Sequence, residues 1–291
     1  MADWPLASGF RAESFGTVSG NPAGTTITSS ATAHTKGSWV QLDASTAFDA
    51  SSLLLQIDVQ FQDTLYLIDI GIGGAGSEQV IIPNLMISQS SAVFTSLLLP
   101  VNIPAGSRIS ARSQDNFGSS TSYITGTLMA GGWAAQSPFN TVTAYGPNTA
   151  TSNGVIADAG ATVNTKGAWA QITAATTKDM RAIMISGSRA APGTAITASY
   201  SQLVDIGVGG AGSEQVLLPN LRFDANTGTG GVVTPYTPGS ATLNGFGTLF
   251  PRIIPPIPCD IPAGVRLAVR QQSSTTNAND RTSAYAIYGL G

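Results

Sequence analysis

Short stretches with alternating apolar and polar residues recur along the chain. Residues 55–61 alternate without a break, which is the two-residue period of a half-buried strand. Residues 108–112 and 266–270 alternate in the same way and place an arginine at each end of the outer face. Residues 65–70 are apolar on both faces and predict a central strand. Helical spacing is never sustained over the roughly 10 to 12 residues that a helix requires. The pattern therefore predicts an all-β fold.

The chain contains an internal repeat. The segment from Asp69 to Leu85 recurs from Asp205 to Leu221 with 14 of 17 positions identical, and the three differences exchange one aliphatic side chain for another. Two further motifs recur in the same order: Thr-Lys-Gly-x-Trp at 35–39 and 165–169, and Ile-Pro-Ala-Gly-x-Arg at 103–108 and 261–266. Copies of more than a hundred residues indicate a tandem domain duplication, because solenoid repeats are roughly 20 to 50 residues long.

The repeat divides the chain into four parts. We expect an N-terminal arm at 1–16, a first β-sandwich at 17–132, a linker at 133–140 and a second β-sandwich at 141–291. The offset between equivalent residues rises from 130 to 136 and then to 158, so the second copy carries 6 extra residues before its glycine motif and 22 after it. Copies built only of strands predict two tandem jelly-roll-like antiparallel β-sandwich domains.

The repeated glycine motif contains the letters of a dinucleotide-binding fingerprint. Residues 71–76 read Gly-Ile-Gly-Gly-Ala-Gly after an apolar strand. A phosphate-binding turn must open a helix, yet Pro83 ends an apolar stretch of about seven residues here. The motif therefore predicts a glycine-rich loop between two strands, and no cofactor is expected.

Each copy also keeps a pair of acidic residues, Asp69 with Glu78 and Asp205 with Glu214. A calcium site needs six to eight oxygen ligands, to which two carboxylates and the loop carbonyls could contribute. The alternative is an internal role, in which Glu78 accepts hydrogen bonds from loop amides and Asp69 pairs with Arg108. Both interpretations are open at this point.

Composition excludes several classes of partner and site. Charged residues make up 10% of the chain, the net charge is −3, and 13 Lys and Arg form no basic run, so we expect no nucleic-acid partner. No apolar run reaches the roughly 18 residues of a membrane span, and the N-terminus does not resemble a secretory signal. Cys259 is the only cysteine and His34 the only histidine, so we expect no cysteine- or histidine-based metal site and no catalytic triad. Trp39 and Trp169 are interpreted as core anchors rather than sugar-stacking platforms.

The repeated motifs resemble those of known viral proteins. Asp-Ile-Gly-[Ile/Val]-Gly-Gly-Ala-Gly-Ser-Glu-Gln-Val, with Pro-Asn-Leu and Ile-Pro-Ala-Gly-x-Arg following, resembles virion structural proteins of tailed bacteriophages and gene transfer agents, of the head-fibre, decoration or tail-fibre type. The resemblance implies a virion surface and carries over no catalytic residue. We therefore expect a non-enzymatic virion structural protein that contacts other particle proteins and attaches to the host. The alternative is a carbohydrate-binding adhesin module outside a virion.

Two regions hold the candidate contact residues. The 22 extra residues of the second copy combine glycine, aromatic and amide side chains, which suits a host polysaccharide or a subunit contact in a homo-oligomer, with a trimer expected. The candidates there are Tyr236, Asn244, Phe246 and Phe250. The N-terminal arm carries Trp4, Phe10 and Phe15, which predict docking onto a neighbouring particle protein.

Overall fold

The fold is built entirely of β-strands in the part of the chain that the computed structural model describes. These residues are 9–17, 24–59, 64–88, 95–131, 139–189, 200–225, 234–235, 252–254, 256–278 and 280–291. They contain no helix, and therefore none that could cross a membrane. The all-β prediction is confirmed.

Among the described residues, nine strands belong to the first half of the chain and eleven to the second. In the first half these are β1 (Arg11–Phe15), β2 (Thr25–Thr28), β3 (Val40–Asp43), β4 (Ser52–Val59), β5 (Leu65–Ile72), β6 (Gln79–Ser88), β7 (Thr95–Leu99), β8 (Ile109–Asp115) and β9 (Thr121–Ala130). In the second half they are β10 (Val142–Tyr145), β11 (Val155–Asp158), β12 (Ala170–Thr173), β13 (Met180–Arg189), β14 (Tyr200–Val208), β15 (Gln215–Ala225), β16 (Thr234–Pro235), β17 (Arg252–Ile254), β18 (Ile257–Ile261), β19 (Leu267–Ser273) and β20 (Thr282–Leu290).

Each half is a jelly roll. In the first half, β1 and β2 both pair with β9, and the sheet continues through β4 to β7. The opposing sheet has the order β3, β8, β5, β6. The second half repeats this arrangement, with β10 and β11 on β20, then β13 and β18, opposite β12, β19, β14 and β15. Two facing sheets with this strand order in each half confirm the predicted tandem jelly-roll-like sandwiches.

The repeated motifs occupy equivalent strands. The glycine motif begins on β5 and on β14, and the strand after Ile-Pro-Ala-Gly is β8 or β19. Their registers also match, because Asp69 pairs with Arg112 and Asp205 pairs with Arg270. The two halves therefore share one fold, and the 22-residue excess falls between β15 and β18.

The predicted N-terminal arm is in part the first strand of the first sandwich. Residues 11–15 pair along their length with β9, as β10 pairs with β20 in the second half. Phe15 is 4% exposed, and its ring lies where a side chain at Gly126 would otherwise be. Phe15 therefore fills the core and is not available for docking, which corrects both its predicted role and the domain boundary. The sequence contained a signal for this strand, because Phe15-Gly16 in the first copy matches Tyr145-Gly146 in the second copy.

The two sandwiches share a hydrophobic core. On β13 and β20, Ile183, Ile185 and Ile287 face the core of the second half, whereas Met184 and Tyr288 pack into the core of the first half. The Tyr288 hydroxyl accepts a hydrogen bond from the Met86 amide at 2.6 Å and donates one to the Asn84 carbonyl at 2.9 Å. The second sandwich therefore covers the first on the β6 side, and its β13–β20 sheet is buried on both faces.

Equivalent positions of the two copies carry different side chains where one position is buried between the sandwiches and the other is not. On the sheet that covers the first half, Met184 and Tyr288 stand where the first half has the half-exposed Leu54 and Thr127. On the covered sheet of the first half, buried Met86 stands where the free sheet of the second half has exposed Arg222. The positions that meet in the shared core are buried and apolar in one copy, and their equivalents in the other copy are exposed or half-exposed.

The insertion of the second half also reaches the first. Residues 252–254, β17, pair in parallel with β7 and extend the sheet of the first sandwich by one strand. The insertion then continues into β18 of the second sandwich. One segment of chain therefore joins the edges of two sandwiches.

Replacing Tyr288 with phenylalanine tests the shared core. Tyr288→Phe leaves the buried Met86 amide and Asn84 carbonyl without their partner, so we expect a loss of about 1–3 kcal/mol in the free energy of unfolding. Because both halves share the core, urea unfolding should remain a single transition that shifts as a whole. Tyr123→Phe, at a half-exposed tyrosine on the free sheet of the first half, should leave the midpoint unchanged. Two separate transitions, only one of them shifted, would contradict the shared core.

Candidate functional site

The glycine loop is a tight turn between two antiparallel strands. It joins β5 to β6, and Gly73 and Gly76 have φ values of 117° and 81°, which only glycine adopts readily. The Ser77 amide and hydroxyl both donate hydrogen bonds to the Gly74 carbonyl, at 3.0 and 3.2 Å. The second copy repeats this geometry at residues 209–213. The prediction of a loop between strands is confirmed.

The glutamate that follows each loop is bound to an arginine. Glu78 lies 2.9 Å from Arg108, and Glu214 lies 2.8 Å from Arg266. Each arginine also donates to a glutamine of the neighbouring strand, Gln41 for Arg108 at 3.0 Å. The Glu78 side chain is 2% exposed, so the ion pair ties the loop to the sheet. The expected partner of Arg108 was Asp69, and the structure corrects that pairing.

A second cluster of charges surrounds the aspartate that is repeated in the two copies, Asp69 and Asp205. Asp69 accepts hydrogen bonds from the Lys36 ammonium and the Arg112 guanidinium, both at 2.9 Å, and from the Asn84 amide at 2.8 Å. Lys36 also donates to the Leu67 carbonyl at 3.0 Å. In the second copy, the corresponding contacts of Asp205 with Lys166, Arg270 and Asn220 measure 2.7 to 2.9 Å. Both carboxylate oxygens are therefore occupied by cations of the chain itself.

A tryptophan completes each charged cluster. The Arg112 guanidinium lies 4.6 Å from the centre of the Trp39 ring, and Arg270 lies 4.5 Å from Trp169. Trp39 reaches over Gly71 of β5, where an added Cβ would be 2.8 Å from the ring. Trp39 is half-buried and stacks on a guanidinium, so it holds the cluster in place as an anchor.

Burial and hydrogen bonding shift the pKa values of these groups. Burial lowers the pKa of Lys36 and Lys166 below the ordinary lysine value, and the neighbouring aspartates offset only part of this effect. Burial alone would raise the pKa of Asp205, but hydrogen bonds from Lys166, the Asn220 amide and Arg270 outweigh it and lower the pKa. The pKa of Glu214 is lowered by its own backbone amide and by Arg266. The Asp205 and Glu214 carboxylates are therefore held ionised.

The described residues contain no group of three or more histidine, cysteine, aspartate or glutamate side chains that could hold a metal ion. The Asp69 and Glu78 carboxylates instead bind Lys36, Arg112 and Arg108. This geometry favours the internal role of the acidic pairs over a calcium site. A shallow groove of about 500 Å³ next to Lys36 is lined by threonine, serine, glycine and valine and by no acidic residue.

The predicted contact residues are only partly placed by the structure. Phe10 is half-buried immediately before β1, and Phe15 is in the core. Trp4 lies outside the described residues, as do the four insertion candidates, Tyr236, Asn244, Phe246 and Phe250. Sequence reasoning missed the roles of Lys36 and Arg112 in the aspartate cluster. The repeated Thr-Lys-Gly-x-Trp motif could have indicated these roles. A lysine that is present in both copies, in a chain with only 13 Lys and Arg, suggests that its charge is paired.

Removing the central carboxylate should strongly destabilise the first sandwich. Asp69→Asn leaves the largely buried Lys36 ammonium and the Arg112 guanidinium without a counter-charge, which we expect to cost about 3–5 kcal/mol of unfolding free energy. Asp158→Asn is the matched control, because Asp158 pairs with Arg281 at 3.0 Å but is 47% exposed. The control should lose less than about 1 kcal/mol. Equal losses in urea denaturation would show that the Asp69 cluster is not a stabilising element.

Acid should destabilise the protein through the same carboxylates. A carboxyl group whose pKa is lower in the folded state adds stability above its unfolded pKa and loses it as the pH falls through the folded pKa. Asp205, Glu78 and Glu214 have this sign. We expect the urea midpoint to be constant from about pH 7 to 5 and to fall below about pH 4. Glu78→Gln/Glu214→Gln should make the fall shallower, whereas the exposed-site control Asp260→Asn should not. An unchanged slope in the double variant would contradict this assignment.

Comparison with known proteins gives no family. No protein-family profile and no curated protein sequence matches the chain. Among solved structures, N-glycanase F (PNGase F) matches with a TM-score of 0.33 and 10% identity, over 96% of this chain and 95% of that one. A structure of peptide-N(4)-(N-acetyl-β-D-glucosaminyl) asparagine amidase matches with a TM-score of 0.29 and 10% identity, over 94% and 99%. PNGase F, a glycosylasparaginase from Flavobacterium meningosepticum, matches with a TM-score of 0.28 and 11% identity, over 91% and 96%.

These neighbours correct one expectation. All three are enzymes, so they contradict the prediction that the chain is not an enzyme, and that prediction is withdrawn. At TM-scores of 0.28 to 0.33, the likeness assigns no activity to this chain.

Proposed function

We propose that the chain is a structural protein on the surface of a phage or phage-like particle, where it contacts other particle proteins and takes part in host attachment. The resemblance of the repeated motifs to virion structural proteins supports the setting. The observation that carries the proposal is that both copies pair their repeated acidic residues with lysine or arginine of the same chain, although charged residues are few. Asp69, Glu78 and their equivalents Asp205 and Glu214 are each bound to cations of the chain itself.

This use of charge suits a building block. The ion pairs fix the turns and strand ends of both sandwiches, and β9, on the free sheet of the first sandwich, is itself uncharged and rich in Ser and Thr. Such a body can be displayed in many copies without strong attraction for nucleic acid or for anionic surfaces. The host-attachment part of the proposal depends on Tyr236, Asn244, Phe246 and Phe250, the insertion residues chosen from the sequence.

Copurification with particles tests the proposal. Particles from a host that produces this chain are purified by density gradient, and the chain is quantified relative to the major capsid protein. We expect the same ratio in independent preparations, and the same ratio after a wash in high salt, because a particle component occupies a fixed number of sites. An unrelated β-sandwich protein expressed to the same level is the control and should be washed away. A chain that is abundant in the lysate but absent from the particles would overturn the proposal.

A further inference from the structure

The groove next to Lys36 has the same backbone in both copies of the repeat. In the first copy it lies between β2 and residues 36–40 and has a volume of about 500 Å³. Gly37 packs so closely against the Thr28 carbonyl that a Cβ would not fit between them. Gly167 packs in the same way against the Asp158 carbonyl of the second copy. Any difference in side chains along the groove is therefore a difference on a common backbone.

The side chains along the groove differ systematically between the copies. Five serine and threonine hydroxyls line it in the first copy, and the equivalent positions of the second copy carry no hydroxyl. The pairs, first copy then second copy, are Thr26 and Ile156, Thr28 and Asp158, Ser29 and Ala159, Ser30 and Gly160, and Ser38 and Ala168. The second copy forms the same strands without these hydroxyls, so the fold does not require them. We call the first-copy groove, lined by these five residues, the hydroxyl groove.

Three of the five hydroxyls are available to a ligand. Thr26, Thr28 and Ser38 are exposed, and their side chains make no hydrogen bond to another described residue. At the position of Thr28 the second copy has Asp158, which is bound to Arg281 at 3.0 Å. A hydroxyl group both donates and accepts hydrogen bonds. Several free hydroxyls along one groove therefore match a ligand that itself carries several hydroxyls.

An exposed aromatic ring lies beside one end of the hydroxyl groove. Phe117 is in the loop between β8 and β9 and is 61% exposed. The loop contacts the groove through Ser119, whose amide donates a hydrogen bond to the Ser30 carbonyl at 2.8 Å. At the offset of 158 that relates β8 to β19, Phe117 corresponds to Thr275. The ring, like the hydroxyls, is therefore present in the first copy and absent from the second.

The loop that carries Phe117 is held to the groove by one buried carboxylate. Asp115 is 1% exposed and accepts hydrogen bonds from the Phe117 amide at 2.6 Å and from the Gly118 amide. It also accepts one from the Ser29 hydroxyl, on the wall of the groove. The backbone beneath the ring is thus fixed relative to the groove before any ligand binds. Such pre-organisation lowers the entropic cost of binding.

The chemistry of the groove favours an uncharged ligand over an ion. No acidic residue lines it, so it does not suit a metal cation. Lys36 is the one charged residue among its lining residues, and its ammonium already binds Asp69 and the Leu67 carbonyl. An anion would have to compete with Asp69 for this lysine. The volume of about 500 Å³ lies within the roughly 300–1,000 Å³ of small-molecule sites.

We propose that the hydroxyl groove binds a neutral saccharide, whose hydroxyls pair with Thr26, Thr28 and Ser38 and one of whose rings stacks on Phe117. A sugar ring combines hydroxyls around its rim with an apolar C–H face, and the aromatic ring offers a flat apolar surface for that face. The site uses none of the insertion residues considered for host attachment. It would serve attachment if the chain is displayed on a particle, but it is a property of the chain alone.

Binding is first measured with the purified full chain on an array of immobilised oligosaccharides of neutral hexoses, deoxyhexoses and N-acetylhexosamines. The chain is presented in many copies on beads, because multivalency makes weak affinities detectable. We expect at least one of these oligosaccharides to bind. Titration calorimetry with that oligosaccharide in solution then gives the Kd of the single site.

Two variants replace residues of the site with their second-copy equivalents, which the common backbone accepts. Thr26→Ile/Ser38→Ala removes two hydroxyls and Phe117→Thr removes the ring, and each should raise the Kd about tenfold. Ile156→Thr/Ala168→Ser makes the reverse exchange in the second copy and is the matched control, because Ile156 is 51% exposed. The control should bind like the unchanged chain. An unchanged urea midpoint in each variant verifies that the fold is intact.

A chain that binds none of the arrayed oligosaccharides would overturn the proposal. A folded variant of either kind that binds as tightly as the unchanged chain would do the same, as would a control that loses binding equally. Copurification with particles is measured separately, so failure of saccharide binding is distinct from failure of the proposed function.

Discussion

The sheet of β10, β20 and β13 is the element on which the rest of the molecule depends, because it is apolar on both faces. Its inward isoleucines close the core of the second sandwich, and Met184 and Tyr288 complete the core of the first. A sheet of this kind cannot have a solvated face, so the second sandwich must lie against the first. Duplication alone would give two independent jelly rolls. Apolar residues on the two faces that meet, such as Met86 in the first half and Met184 and Tyr288 in the second, join them into one body.

Electrostatics acts within this body at close range. Each copy buries an aspartate between a lysine and an arginine and fixes its glycine loop with a second ion pair. Buried pairs of this kind stabilise little relative to an apolar core, but they are costly to break and they accept only one arrangement. The Trp39 and Trp169 rings lie on the arginines of these clusters and restrict them further. The ion pairs therefore fix positions of the strands and glycine loops that packing of the hydrophobic core alone does not determine.

The fold was predictable because strand alternation and the internal repeat can both be recognised in the sequence without knowledge of tertiary contacts. Alternation in residues 55–61 and 108–112 predicts strands, and the glycine motif repeated at Asp69 and Asp205 predicts two copies of one domain. The aspartate clusters were not predictable in detail, because Lys36 and Arg112 approach Asp69 only when the sheet is formed. The role of Phe15 was missed for a related reason. In the sequence, an aromatic residue near a terminus looks the same whether its side chain is exposed or packed into the core over Gly126. Only the pairing of β1 with β9 shows that Phe15 is packed in the core.

The placement of β17 has a consequence for how the chain is synthesised. The edge of β7 in the first sandwich is covered by residues 252–254, and the β6 side is covered by β13 and β20, which also lie late in the chain. At translation rates of roughly 5–20 residues per second, the ribosome needs on the order of 10 s to produce these segments after the first sandwich has emerged. During that interval the nascent first sandwich exposes an open edge and an apolar face including Met86. Both are covered once the C-terminal half of the chain has been synthesised and has folded against the first half.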